Sequence, residues 1–327
     1  MGGTPWSEPT FRALALAGGL IAIWFGAGPF PQHQAETQTQ LRHEWRQCAD
    51  VVLVGDSALG WGLHPEVIED ELHGAYRVVN FGYLNISLLN DAYMAGAEAV
   101  LDPRTPHRTM IVGITSSNVS LLSAQNHRFE REARDIAAAR RAGHPPSIDL
   151  DWHDELDLRL RPRGLCGFLW NLCSSGSQQP LGYNGHLPVV TSWHDETARI
   201  PEEIDTLSPE EPIYDERAVE PLFRRVRELH QRGIDVIAYV APDIPAIAAV
   251  SGPRGYDPAW YERQLRGTGA IVVAYPPDLT TFDGVHLDPP SARRFSAALG
   301  RVVAARMPPR AAVPTGRCAW PLQTSHP

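Results

Sequence analysis

The sequence predicts an α/β protein built on a parallel sheet of about five strands with helices on both faces. Three observations carry this expectation. Short apolar runs recur from Val51 onward, each continuous rather than alternating, as in strands covered on both sides. Stretches with helical spacing of apolar side chains lie between them. Gly, Pro and Asp mark most of the transitions, where chains stop one element and start the next.

Taken in order, Val51-Val52-Leu53-Val54 is β-branched, apolar and bounded by Gly55, so it reads as a buried strand. A helical stretch begins near Pro65, and Arg77 to Phe81 supplies the second strand. Helical spacing from about Ser87 to Leu101 ends at Asp102-Pro103, before a third strand from Thr109 to Ile114. Phe129 to Ala142 reads as a polar helix stopped by Gly143 and Pro145-Pro146. From about 143 to 212 the periodicity gives way to Pro, Gly, Ser and charge, which reads as an irregular insertion, a lid or a substrate-facing subdomain. Regular order returns with an amphipathic helix from Glu216 to Arg232, closed by Gly233, and a strand from Ile234 to Val240. A helix from Pro258 to Leu265, a strand from Ala270 to Tyr275 and a helix from Pro289 to Arg306 complete the pattern. The main domain is thus expected over 48–307, with a Pro-rich tail over 308–327.

The amino-terminal residues follow a different rule. No charged side chain occurs from Ala13 to Phe30, a stretch close to the ~20 residues a helix needs to span a bilayer. Residues 1–31 therefore read as a membrane anchor or signal segment, with 32–47 as a juxtamembrane linker. Arg12 before the apolar run favours a cytoplasmic amino terminus and an exported body, against a slight opposing charge from Glu8. Pro29, Phe30 and Pro31 stand where a small-residue cleavage site would fall, which favours an uncleaved anchor over a cleaved signal.

Composition narrows the function classes. In 327 residues the net charge is −9, and all 29 cationic side chains are arginines scattered along the chain, so no basic stripe suits nucleic acid. The four cysteines fit an oxidising compartment, with Cys166 and Cys173 able to staple one segment and Cys48 with Cys318 a second, or all four remaining thiols. Trp152-His153-Asp154-Glu155 and Trp193-His194-Asp195-Glu196 repeat one tetrapeptide inside the insertion. We read them as paired turns, so no metal and no cofactor is expected.

Two motifs carry chemistry. Gly55-Asp56-Ser57 leaves the first strand, where a sharp turn exposes a serine hydroxyl, or where Asp and Ser simply cap a helix. Asp283-Gly284-Val285-His286 lies between the last strand and the last helix. An aspartate three residues before a histidine can hold one ring nitrogen while the other faces a serine, as a serine nucleophile requires.

This pairing, in this order, resembles the SGNH/GDSL hydrolase family, whose first block is Gly-Asp-Ser and whose last is Asp-x-x-His before a carboxy-terminal helix. The resemblance covers about Val51 to Val303 and implies a three-layer α/β/α flavodoxin-like sandwich with Ser57, Asp283 and His286 as a triad. It also implies an oxyanion hole. The family's second block, Val-x-Asn-x-x-x-x-Gly, aligns with Val79 to Asn85, so the Asn85 N–H takes the glycine's place beside that of Ser57, and Gly82 is an alternative donor. The third block is matched loosely by Gly113 to Asn118, where Asn118 is the side-chain donor and Thr115 and Ser116 are rivals. The amino-terminal anchor and the diverged third block are similar to the membrane-anchored branch that esterifies or de-esterifies envelope polymers. The expected activity is that of a serine esterase or O-acyltransferase, single-pass and extracytoplasmic. Its expected partners are a small-molecule or polysaccharide ester, the membrane and a membrane acyl-donor protein. The alternative is an inactive polymer-binding or scaffold protein of the same fold.

Overall fold

Five strands form one parallel sheet in the order β2-β1-β3-β4-β5, an arrangement consistent with a flavodoxin-like sandwich. They are β1 (Val51–Val54), β2 (Val78–Asn80), β3 (Arg108–Ile114), β4 (Ile234–Val240) and β5 (Ile271–Val272). A computed structural model of the chain describes residues 49–83, 86–125, 127, 129–131, 133, 134, 138 and 214–310. The amino-terminal apolar segment, Asn85, all four cysteines, the insertion and the tail beyond 310 lie outside the described residues. Among the described residues no helix is long and apolar enough to cross a membrane.

Every side chain of β1 is fully buried, as its unbroken apolar run requires of a strand covered on both faces. Its residues point alternately to the two sides. Val51 and Leu53 join Ile111, Ile237 and Tyr239 in a core closed by α2 (Pro65–Glu71) and α8 (Pro289–Ala304), the latter contributing Phe295, Leu299 and Val303. Side chains of opposite parity, Val52, Val54, Met110, Val112 and Val236, are buried on the other face. There α3 (Asp91–Glu98) packs on β1, and α5 (Glu216–Gln231) and α7 (Pro258–Gly267) pack on β4. The stripe Val219, Leu222, Phe223, Val226, Leu229 along α5 recurs at three- and four-residue steps, which is why that helix can cover the sheet with one side.

Several expected boundaries shift. The second strand is three residues long, although Phe81 N–H still donates to Leu53 O and Tyr83 N–H to Gly55 O beside β1, and the Asn80 side chain donates to the carbonyls of Leu63 and Gly60. The last strand is only Ile271–Val272, extended by one hydrogen bond from Val273 N–H to Ala238 O, since the chain beyond must leave the edge to form the loop carrying Asp283. The third helix begins at Asp91 rather than near Ser87, because the Asn90 side chain caps it through Tyr93 N–H. Two short helices were not anticipated, α4 (Leu121–Ala124) and α6 (Pro245–Ser251), and a third, α1 (Ser57–Gly62), is the helix that the capping reading of Asp56 and Ser57 allowed. Each is under two turns, too short to display a periodicity. Of the expected polar helix from Phe129 to Ala142, the described residues 129–131, 133, 134 and 138 are all helical, and the rest lie outside the described residues.

Candidate active site

Because all five strands run parallel, their carboxyl ends meet along one edge, and the loops leaving that edge bring distant segments together. Ser57 is the first residue of α1, directly after β1. The Asp56 side chain caps this helix by accepting from Ala58 N–H at 3.1 Å, and Gly60 N–H donates to the Asp56 carbonyl. The capping reading of Gly-Asp-Ser thus holds through the aspartate, which leaves the half-buried serine that follows it uncommitted to the cap. The other Asp56 carboxylate oxygen accepts from the Thr115 hydroxyl at 2.6 Å, which ties the β1 turn to the end of β3. Burial raises the Asp56 pKa, and the Thr115 hydrogen bond and the nearby His286 offset only part of that rise.

His286 rides on a closed loop. Phe282 N–H donates to His286 O, and Thr281 and Leu287 form an antiparallel bridge. Asp288 N–H donates to Thr280 O, and the Asp288 side chain then caps α8 through Ser291 N–H at 2.8 Å. Within the loop, one Asp283 carboxylate oxygen accepts from Val285 N–H (3.0 Å) and His286 N–H (2.8 Å). Gly284, at φ 89°, supplies the left-handed residue that this tight turn needs. The second Asp283 oxygen lies 2.7 Å from His286 Nδ1, and His286 Nε2 lies 2.9 Å from Ser57 Oγ.

Asp283 and His286 are each 1% exposed, whereas Ser57 is half-buried at the rim. Burial would raise the Asp283 pKa, but the His286 ring and the two loop N–H groups outweigh it and hold the carboxyl below its ordinary value. Asp283 is therefore a carboxylate, acceptor only, so the Nδ1 that faces it carries the proton. Nε2 is left as the acceptor of the Ser57 hydroxyl. The serine, histidine and aspartate expected from the sequence thus lie in one hydrogen-bonded line.

The candidate oxyanion donors separate. Ser57 N–H, at the first turn of α1, has no acceptor among the described residues. Asn85 lies outside the described residues. The other two make internal hydrogen bonds. Gly82 N–H donates to Asn80 Oδ1 at 2.9 Å, and a Cβ there would lie 2.6 Å from Gly60 Cα, so this glycine lets the β2 turn pack against α1. Asn118 is fully buried: Nδ2 donates to Gly113 O (2.9 Å), Oδ1 accepts from Thr115 N–H (3.1 Å), and its own N–H donates to Thr115 Oγ1 (3.1 Å). It braces the turn after β3. The rival Thr115 hydroxyl is committed to Asp56, and that of Ser116 donates to Asp243 at 2.6 Å. His64 holds the N-cap position of α2, with Nδ1 2.8 Å from Glu66 Oε1.

Sequence reasoning missed the supporting contacts of four residues. Trp61, one turn beyond Ser57, places its ring 4.2 Å from that of His286, while Phe282 stacks on the imidazole at 5.7 Å. The spacing of four from Ser57 was the available signal. The Tyr93 hydroxyl accepts from Gly55 N–H (3.1 Å) and lies within donating distance of the carbonyls of Gly55 (2.8 Å) and Phe81 (2.9 Å), pinning the turn that presents Ser57. Asn80 holds the end of α1 by donating to Leu63 O at 3.0 Å. Tyr93 carries no local sequence signal, whereas Asn80 is the asparagine of the second block.

No family model matches the sequence, and no curated protein is significantly similar to it.

Proposed function

We propose that the protein is a serine-dependent acyl-ester hydrolase or O-acyltransferase working through an acyl-enzyme. The observation that carries this reading is the continuous line from Ser57 Oγ to His286 Nε2 (2.9 Å) and from His286 Nδ1 to Asp283 (2.7 Å) at the carboxyl edge of the sheet. Ser57 Oγ attacks the ester carbonyl while its proton passes to Nε2, and Asp283 stabilises the imidazolium. The oxyanion forms against the Ser57 N–H. Collapse breaks the ester C–O bond, the Nε2 proton goes to the departing alkoxide, and the acyl group stays on Ser57. Water or a second hydroxyl then donates its proton to Nε2 and adds to the acyl carbonyl, and that proton returns to Ser57 Oγ as the Ser57–acyl bond breaks, giving hydrolysis or transfer.

On this reading the sheet and its covering helices are the three-layer sandwich of the SGNH kind, and Ala13 to Phe30 anchors it with the domain outside the cytoplasm, close to envelope esters and to a membrane acyl donor. One observation favours the inactive scaffold reading: the Gly82 N–H and the Asn118 amide both serve internal hydrogen bonds. The Trp61 and Phe282 rings pack on His286, which keeps Nε2 at hydrogen-bond distance from Ser57, and this supports catalysis. A panel of short-chain acyl esters, with and without carbohydrate acceptors, tests the proposal by mass spectrometry. A Ser57 acyl adduct with turnover is expected; polymer binding with neither adduct nor turnover would favour the scaffold.

A further inference from the structure

Beside the serine, two strands along the same sheet edge, lies a second polar cluster that the triad does not use. Asp243 follows β4, and its two carboxylate oxygens each accept one short hydrogen bond, from Ser116 Oγ after β3 (2.6 Å) and from Ser251 Oγ at the end of α6 (2.6 Å). Burial raises its pKa, and the only offsetting influences are those two hydroxyls; no cation compensates it among the described residues. A carboxylate offers about four lone-pair sites, so about two remain open on this half-buried side chain. Tyr214 approaches the same cluster. Its ring packs 5.2 Å from that of Tyr256, whose hydroxyl donates to Ala241 O at 3.2 Å, two residues before Asp243. The Tyr214 side chain is 8% exposed and lies beside Asp243 and Ser116, close enough to the Ser116 hydroxyl for a weak attraction but without a hydrogen bond of ordinary geometry.

A buried hydroxyl without a full hydrogen bond is costly to keep in a folded protein unless a partner completes it, and the half-buried carboxylate beside it keeps lone pairs open to the same partner. A ligand completing both groups donates to Asp243 and accepts from Tyr214. An alcohol does both, as water does in its place, whereas an ammonium satisfies only the acid and an anion only the tyrosine. Adjacent strands are about 4.8 Å apart, so the ends of β1 and β4 are separated by roughly 10 Å, within reach of a sugar-sized molecule whose ester carbonyl lies at Ser57. The Ser57-side link is covalent and hydrogen-bonded: Ser57 adjoins Asp56, Asp56 accepts from Thr115, and Thr115 adjoins Ser116.

We infer that Asp243 and Tyr214 form a hydroxyl-recognition subsite for the carbohydrate portion of the substrate, with Ser116 and Ser251 as the groups that position Asp243. This rests on the proposed ester chemistry at Ser57. It is tested on the full-length chain with two acetyl esters, p-nitrophenyl acetate, which has no hydroxyl, and 6-O-acetylglucose, which has several. Asp243→Asn and Tyr214→Phe are each expected to lower kcat/KM for the sugar ester by about 10- to 100-fold, mostly through KM, and to change that for p-nitrophenyl acetate less than about twofold. Equal losses on both esters would mean the cluster only holds the β4 loop, and unchanged sugar-ester kinetics would mean it contacts no substrate; either overturns the inference. If wild-type protein turns over neither ester and Ser57 acquires no acyl group, the ester chemistry itself fails, and the subsite with it. Turnover of p-nitrophenyl acetate alone, with no wild-type preference for the sugar ester, would leave the triad standing and sink the subsite.

Discussion

Replacing Asp283 by asparagine changes one atom and should remove most of the activity while leaving the loop in place. In the native loop one carboxylate oxygen accepts from Val285 N–H (3.0 Å) and His286 N–H (2.8 Å), and the other faces His286 Nδ1 (2.7 Å). An asparagine must keep its single carbonyl oxygen on the two backbone donors, which turns its NH₂ toward Nδ1. Nδ1 then has to accept, so the ring proton moves to Nε2, and Nε2 donates to Ser57 Oγ instead of accepting from it. The serine loses its base without moving. In serine hydrolases where the orienting acid has been changed this way the cost is about 10⁴-fold, equivalent to about 5.4 kcal/mol in the barrier. Stability should fall far less, by about 1–3 kcal/mol for a charge-assisted hydrogen bond. Because the folded pKa of Asp283 is depressed, its stabilisation is complete above the unfolded value of about 3.9 and is lost as pH falls through the folded value. The stability gap between wild type and variant should therefore be constant near neutrality and shrink below about pH 4. Steady-state hydrolysis of p-nitrophenyl acetate and urea unfolding across pH measure both effects. A variant that keeps kcat/KM within tenfold of wild type would refute the tautomer argument.

Two further substitutions probe the frame around the triad. Trp61→Leu removes the ring 4.2 Å from His286 and, with aromatic contacts contributing about 0.5–1.5 kcal/mol, should lower kcat by roughly 3- to 10-fold while Trp61→Phe restores most of it; equal rates for wild type and Trp61→Leu would show that the indole positions nothing. Tyr93→Phe leaves the buried Gly55 N–H without its acceptor and should cost about 1–3 kcal/mol, read as a lower urea midpoint at unchanged slope, and an unchanged midpoint would contradict the pinning role.

The sheet was legible because its strands are unbroken apolar runs: Val51–Val54 and Ile234–Val240 fall where the pattern places them. Ser57, Asp283 and His286 were legible as well, since each motif keeps its spacing within a few residues and only the pairing is long-range, across 229 positions. The donors were not. Gly82 and Asn118 have suitable residue types at nearly suitable spacings, but what decides their role is a partner elsewhere: Asn80 for one, Gly113 O and Thr115 for the other. The same holds for Tyr93, which reaches the Gly55 turn from a helix 38 residues away. Asp243 was invisible for a related reason, because a single aspartate in a Pro-rich loop reads as a turn former until Ser116 and Ser251 are seen to converge on it.

The most direct test of the central claim is covalent labelling of the intact protein with a fluorophosphonate, read by mass spectrometry with the modified residue mapped by peptide sequencing. The account predicts one adduct, on Ser57, absent in Ser57→Ala and slowed by orders of magnitude in His286→Ala, whose base is gone. Labelling that persists in Ser57→Ala, or that proceeds at the wild-type rate without His286, would contradict it.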